Sequence, residues 1–173
     1  MKKSFWLVFG LAALVLGGCD VSVNRSIHVS DGENGSAQTS VNGSIHIGAR
    51  CRIEGDCRTV NGSIHVGDGS RVRDLDTVNG RIELTNCEVD EELSTVNGDI
   101  ELLKKSLVHG DIVIKGRHGG LFDHAHLSIW IKEGSRVEGG IIVRDPDVDV
   151  TVYISKDSTV MGKIENAQAI GEY

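Results

Sequence analysis

One short phrase, Val-Asn-Gly-x-Ile, occurs four times in the chain. It appears as SVNGSIHIG from Ser40, TVNGSIHVG from Thr59, TVNGRIEL from Thr77 and STVNGDIEL from Ser94. Its asparagines, Asn42, Asn61, Asn79 and Asn97, are spaced 19, 18 and 18 residues apart, and a degenerate copy, VNRSIHV, places Asn24 another 18 residues back. A catalytic site needs such a phrase once. Self-similarity at a fixed period instead marks a structural unit that is stacked on copies of itself.

The unit is strand-like. In TVNGSIHV, Val60, Gly62, Ile64 and Val66 share one phase of a two-residue alternation, and Thr59, Asn61, Ser63 and His65 share the other. Further along, a second apolar set recurs as Ile53, Val72 and Val89, followed by Cys57, Leu75 and Leu93. Each unit therefore holds three short strands separated by Gly, Asn and Asp turns. At ~3.3 Å per residue such a unit is about 60 Å of chain, enough for one circuit of a small triangular prism. Each strand then pairs in parallel with its copy ~4.8 Å away, and like residues stack into ladders. The expected fold is all-β: a single-stranded parallel β-helix, a solenoid of about eight coils with ~18 residues each. Antiparallel hairpins would give no reason for identical residues at identical phase. No 3.6-residue stripe runs past a turn or so, so no helix is expected. Beyond the first 18 residues only four aromatics remain, Phe122, Trp130, Tyr153 and Tyr173, with one proline, Pro146. The core must rest on Val, Ile and Leu, which suit stacked strands.

After Leu102 the register loosens. LVHGDIVI at 107–114 reads as a further copy of the phrase only 12 residues after its predecessor, and KGRHGGLFDHAH reads as an irregular insertion near 115–126. WIKEGSRVEGGI from Trp130 then aligns with YISKDSTVMGKI from Tyr153, and GSRV occurs at both 69–72 and 134–137. The tail, Ala167 to Tyr173, is expected to cap the last coil, since an open end leaves backbone unpaired.

The first residues form a separate unit. Lys2 and Lys3 precede an apolar run from Phe5 to Leu16, shorter than the ~20 residues that span a bilayer. Leu16-Gly17-Gly18-Cys19 follows. This pattern reads as a secretory signal, and its ending resembles the lipobox of bacterial lipoproteins, in which the cysteine is acylated. Residues 1–18 are then a signal peptide and 19–173 the β-helix domain, tethered to a membrane through Cys19 and facing the periplasm of a bacterial envelope. The resemblance to enteric lipoproteins makes Asp20 a signal favouring the inner membrane over the outer. Without Lys2 and Lys3 the 18 basic residues fall to 16, against 25 acidic ones, a formal charge of −9. That balance argues against nucleic acid as a partner, which needs a basic patch.

VNGDIEL, VHGDIVI and GSRVEGGIIV resemble the Val-x-Gly-(Asp)-Ile phrases of bactofilins, polymer-forming cytoskeletal proteins of bacteria, and equally the adhesin-like solenoids of bacterial envelopes. The likeness spans residues 40–166. It implies a right-handed β-helix without a cofactor and, for bactofilins, head-to-tail self-association. A lipid anchor directly before the first repeat differs from the usual cytoplasmic bactofilin. The left-handed hexapeptide helix of acyltransferases also places Val60, Val66, Val72, Val78 and Leu84 at six-residue steps, but Asp90 and the bulky Ile64 and Ile82 break that pattern.

Candidate chemistry is sparse. His28, His46 and His65 share one outer phase, continued by Glu83 and Glu101. Neighbours at the strand spacing form either a zinc or copper site or a solvated polar ladder. His118, Asp123, His124 and His126 cluster in or beside the insertion and are the other metal-ligand candidates. Cys51 and Cys57 share the inward phase, where a disulfide or two small buried thiols fit. Trp130 and Tyr153 face outward one above the other, as exposed aromatic anchors for a glycan or protein do. No catalytic acid–base or nucleophile set assembles. The expected role is a non-catalytic, cofactor-free scaffold or self-associating element, with an adhesin-type binding module and a metal-binding envelope protein as alternatives.

Overall fold

Successive copies of the phrase lie side by side on consecutive windings in the computed structural model, which describes residues 20–116 and 126–171. Every strand pairing is parallel, and no helix occurs among the described residues. The chain is a β-solenoid with three faces.

Face 1 is a sheet of eight strands: Ile27–Val29, Ile45–Ile47, Ile64–Val66, Ile82–Thr85, Ile100–Leu103, His126–Ile131, Asp149–Ile154 and Gln168–Gly171. These define about seven turns. Face 2 carries Asn34–Gly35, Glu88–Val89, Leu107–Val108, Arg136–Val137 and Thr159–Val160. Face 3 carries Asp20–Ser22, Gln38–Ser40, Leu93–Asn97, Ile112–Ile114, Ile141–Val143 and Ile164–Glu165. Two longer strands, Arg52–Thr59 and Arg71–Asn79, run around the corner and serve both. The first of them is bulged between Ile53 and Asp56.

The core is a set of ladders. On face 1, Ile45, Ile64, Ile82, Ile100 and Ile129 stack in register and are all fully buried. Face 2 supplies Ile53, Val72, Val89, Val108 and Val137, and face 3 supplies Cys57, Leu75, Leu93, Ile112 and Ile141. Each such side chain contributes roughly 1.5–3 kcal/mol by leaving water. The inward ladders are as the spacing predicts, and so is the asparagine column. Asn42 Nδ2 donates to Asn24 Oδ1, Asn61 to Asn42 and Asn79 to Asn61, each at 2.9 Å.

The corners explain the rest of the phrase. Gly43, Gly62, Gly80 and Gly98 stack where the chain passes from face 3 to face 1, and a Cβ on any one would collide with the carbonyl of the residue below. Close approach, rather than a left-handed backbone, requires glycine here. The alternation expected through this corner does not hold. Thr59 points inward and is 3% exposed, whereas Val60 points outward and is 38% exposed. The reason is a hydrogen bond: Thr59 Oγ1 donates to Gly43 O and Thr77 Oγ1 to Gly62 O, so the threonine closes the corner from inside. With Val60 outside, the six-residue valine series is not a structural column.

Two other expectations are corrected. VHGDIVI is not a spatial copy of VNGDIEL: Val108 pairs with Val89 on face 2 and Ile112 with Leu93 on face 3, a third of a turn from the earlier phrase. Its true partners are Val137 and Ile141, and beyond them Val160 and Ile164. The tail does not cap the solenoid either. Gln168–Gly171 is the eighth strand of face 1 and pairs with Asp149–Ile154.

Candidate functional site

The outer side chains of face 1 form one continuous column: His28, His46, His65, Glu83, Glu101, Trp130 and Tyr153, each opposite the next in register. The period reveals the histidine–glutamate part. It does not reveal that the aromatic pair extends the same column, because the segment between Leu103 and His126 breaks the count.

The three imidazoles are stacked. Ring centroids of His28 and His46 are 4.8 Å apart at 6° between planes, and those of His46 and His65 are 5.0 Å apart at 1°. Parallel rings hold their nitrogen lone pairs side by side instead of aiming them at one point, so the column is a poor metal cage. Partial burial and the neighbouring His65 and His28 hold the His46 pKa below its usual value. At the lower end of charge repulsion, His65 Nδ1 lies 3.6 Å from Glu83 Oε2.

Trp130 and Tyr153 stack with centroids 5.9 Å apart and planes 12° apart. From the Glu101 side, Lys132 Nζ and the Arg81 guanidinium approach the Trp130 ring to 5.3 and 5.9 Å. Lys132 Nζ also donates to Glu101 Oε1 at 3.0 Å. Trp130 thus stacks on Tyr153 and has two cations close to its ring.

Of the insertion histidines, His118 and His124, together with Asp123, lie outside the described residues. His126 is exposed and its Nδ1 sits 3.0 Å from Asp149 Oδ2. Cys19 also lies outside the described residues, and no helix among those described is long and apolar enough to cross a membrane.

The thiols of Cys51, Cys57 and Cys87 are free and buried, so no bridge joins Cys51 to Cys57. Cys51 directly precedes the long strand Arg52–Thr59 where it enters face 2, and Cys57 lies in the face 3 part of that strand, so the two sit at different places around one coil. Cys51 Sγ donates to Ser30 O at 3.1 Å. Burial pushes the thiols of Cys57 and Cys87 up to about 12, which leaves them un-ionised and unreactive. Cys51, Ser70, Cys87, Ser106 and Ser135 each immediately precede paired residues of face 2, so thiols and hydroxyls share one buried corner ladder. There Ser70 Oγ receives the Cys51 N–H at 2.9 Å and donates to Gly48 O at 2.8 Å.

A constellation unforeseen from the sequence lies on face 2. Glu88 and Asp90 flank inward Val89 and so project outward, and His109 follows Val108 on the next coil. Ligand-type atoms of the three lie within 4.8 Å of one another. His109 Nε2 is 2.6 Å from Glu88 Oε1, and Nδ1 is 2.7 Å from Glu138 Oε2 on the coil above. Hydrogen bonds to Glu88 and then Glu138 raise the His109 pKa, and the same bond to His109 lowers that of Glu138. The guanidinium of Arg71 already bridges the two carboxylates below, 3.2 Å from Glu88 and 2.6 Å from Asp90. Arg71 and His109 already engage these carboxylates, so the group is a lattice of hydrogen bonds and ion pairs. The signal that locates it is register: once Val89 is set opposite Val108, Asp90 must face His109.

Comparison with family models, with curated proteins and with solved structures yields no match; what the chain displays is a parallel β-solenoid of repeated units.

Proposed function

We propose that this protein is a non-catalytic, lipid-anchored element of a bacterial envelope that serves as a rigid scaffold and associates with itself through its coil ends. The observation that carries the reading is parallel backbone pairing on all three faces from Asp20–Ser22 to Gln168–Gly171. A solenoid in which each coil holds only its neighbours is stiff along its axis and offers unpaired strand edges at both ends. Exposed apolar groups accompany those ends: Val21 and Val23 at one, Met161 and Ile170 at the other. The lipobox-like Leu16-Gly17-Gly18-Cys19 supports the anchor. It stands directly before Asp20, the first strand residue, so the first coil would rest at the membrane surface. The resemblance to bactofilins supports self-association.

An adhesin-type reading through Trp130 and Tyr153 is the weaker one, because the Trp130 ring already engages Tyr153 and two cations.

Light scattering and electron microscopy of the protein in detergent test the scaffold reading. Assemblies that grow with concentration are expected, and they should dissolve when Ile164, in the last strand of face 3, is changed to Lys. A strict monomer at high concentration removes the self-association half of the proposal. Metabolic labelling with a palmitate analogue tests the anchor independently: incorporation should be lost in Cys19→Ala.

A further inference from the structure

The charged lattice on face 2 sits at a particular place along the axis. Glu88 belongs to the regular coils. His109 lies on the coil that contains the insertion, and Glu138 follows that insertion. One imidazole ring therefore touches three successive windings, with a carboxylate on each nitrogen.

We propose that Glu88, His109 and Glu138 form a proton-dependent clasp that fastens the regular coils to the longer coils beyond the insertion, closed in mildly acidic medium and released in alkaline medium. The chemistry is that of a ring with two nitrogens. As imidazolium it donates to both carboxylates at once. When the proton leaves Nε2 or Nδ1 for solvent, one nitrogen keeps its N–H donor, and the other turns a lone pair toward a carboxylate at hydrogen-bond distance. That contact becomes repulsive and the ring must release one coil.

The surrounding charges favour the closed form. Below the ring stand Asp90 and Glu88, both bound by Arg71. Above it stand Glu138 and Arg136, whose guanidinium is 3.6 Å from Glu138 Oε1. Past the corner, Asp111 is engaged by the Gly140 N–H at 2.7 Å. Apart from Asp111, three carboxylates, two arginines and one imidazolium balance, and loss of the His109 proton leaves this group one charge more negative. Because the folded pKa of His109 is raised, its contribution is complete below the ordinary histidine value of ~6.5 and fades as pH climbs through the folded value. Glu138, held low, keeps its charge through the whole of that window.

Backbone pairing also spans the junction, for instance Glu138 N–H to Val108 O at 2.8 Å, and does not involve the His109 ring. The clasp therefore tunes local opening of the coils and leaves the fold in place.

Hydrogen–deuterium exchange of the full chain in detergent, expressed as protection factors at about pH 6 and about pH 8.5, reads this directly. Amides of Leu107–Val108 and Arg136–Val137 should be about three- to tenfold more protected at the lower pH. The difference should vanish in His109→Gln and shrink in Glu138→Gln. Equal protection at the two pH values, or a difference that survives His109→Gln, overturns the proposal. Should His109→Gln fail to fold, the imidazole resonances of the unsubstituted chain decide. A His109 titration midpoint above the ordinary histidine value upholds the clasp, and one at or below it refutes the idea.

Discussion

Single residues carry this fold at its corners, where the ladder gives no slack. Gly80 is seated so that a methyl group would strike the Gly62 carbonyl. Gly80→Ala should cost at least about 2 kcal/mol through forced backbone movement, read as a lower urea midpoint at unchanged slope. Gly171→Ala is the control: nothing lies within 4 Å of the added carbon, and its effect should stay within about 0.5 kcal/mol. The corner after face 1 makes the opposite demand. Gly32, Gly69 and Gly134 have positive φ there, and Arg50 adopts the same conformation at φ 56. A left-handed non-glycine residue costs roughly 1 kcal/mol, so Arg50→Gly should raise stability by about 0.5–1 kcal/mol, visible as a higher melting temperature.

Among elements, the outer column of face 1 shows how register turns sequence spacing into electrostatics. Partial burial, and then the neighbouring rings of His65 and His28 stacked on either side, hold the His46 pKa below the ordinary histidine value. A depressed folded pKa means that its stabilising effect is full above the unfolded value of ~6.5 and is lost as pH falls below it. Acidification from about pH 7 to about pH 5 should loosen Ile27–Val29, Ile45–Ile47 and Ile64–Val66, with exchange protection falling several-fold. His46→Gln should flatten that dependence, and protection unchanged by pH in the unsubstituted chain would refute it. The sign is opposite to that of His109, because burial and neighbouring imidazoles act on His46, whereas hydrogen bonds to carboxylates act on His109. These two environments were unequally legible. His28, His46 and His65 repeat in one phrase at the repeat period, whereas Glu88, His109 and Glu138 occur in three different phrases and share no pattern. Likewise Thr59 and Val60 read naturally as outer and inner residues. The inner hydrogen bond to Gly43 O, which reverses them, involves a residue one coil away.

For the whole molecule, one-dimensional stacking means that each winding is stabilised by the two beside it. Damage at one corner should therefore propagate only as far as neighbouring coils. The sequence by itself determined the winding, the inward ladders, the asparagine column and the pairing of Trp130 with Tyr153. All of these follow from like residues recurring at one period, which parallel pairing at a fixed strand separation converts into contact. Tertiary structure alone decided which corner residues turn inward, that VHGDIVI belongs to faces 2 and 3, that Gln168–Gly171 forms a last strand, and that His109 is gripped from both sides. Those outcomes depend on contacts with the adjacent coil, which lie 15 and 16 residues away for the corner threonines and 21 and 29 for His109, rather than on the residues next to them in the chain.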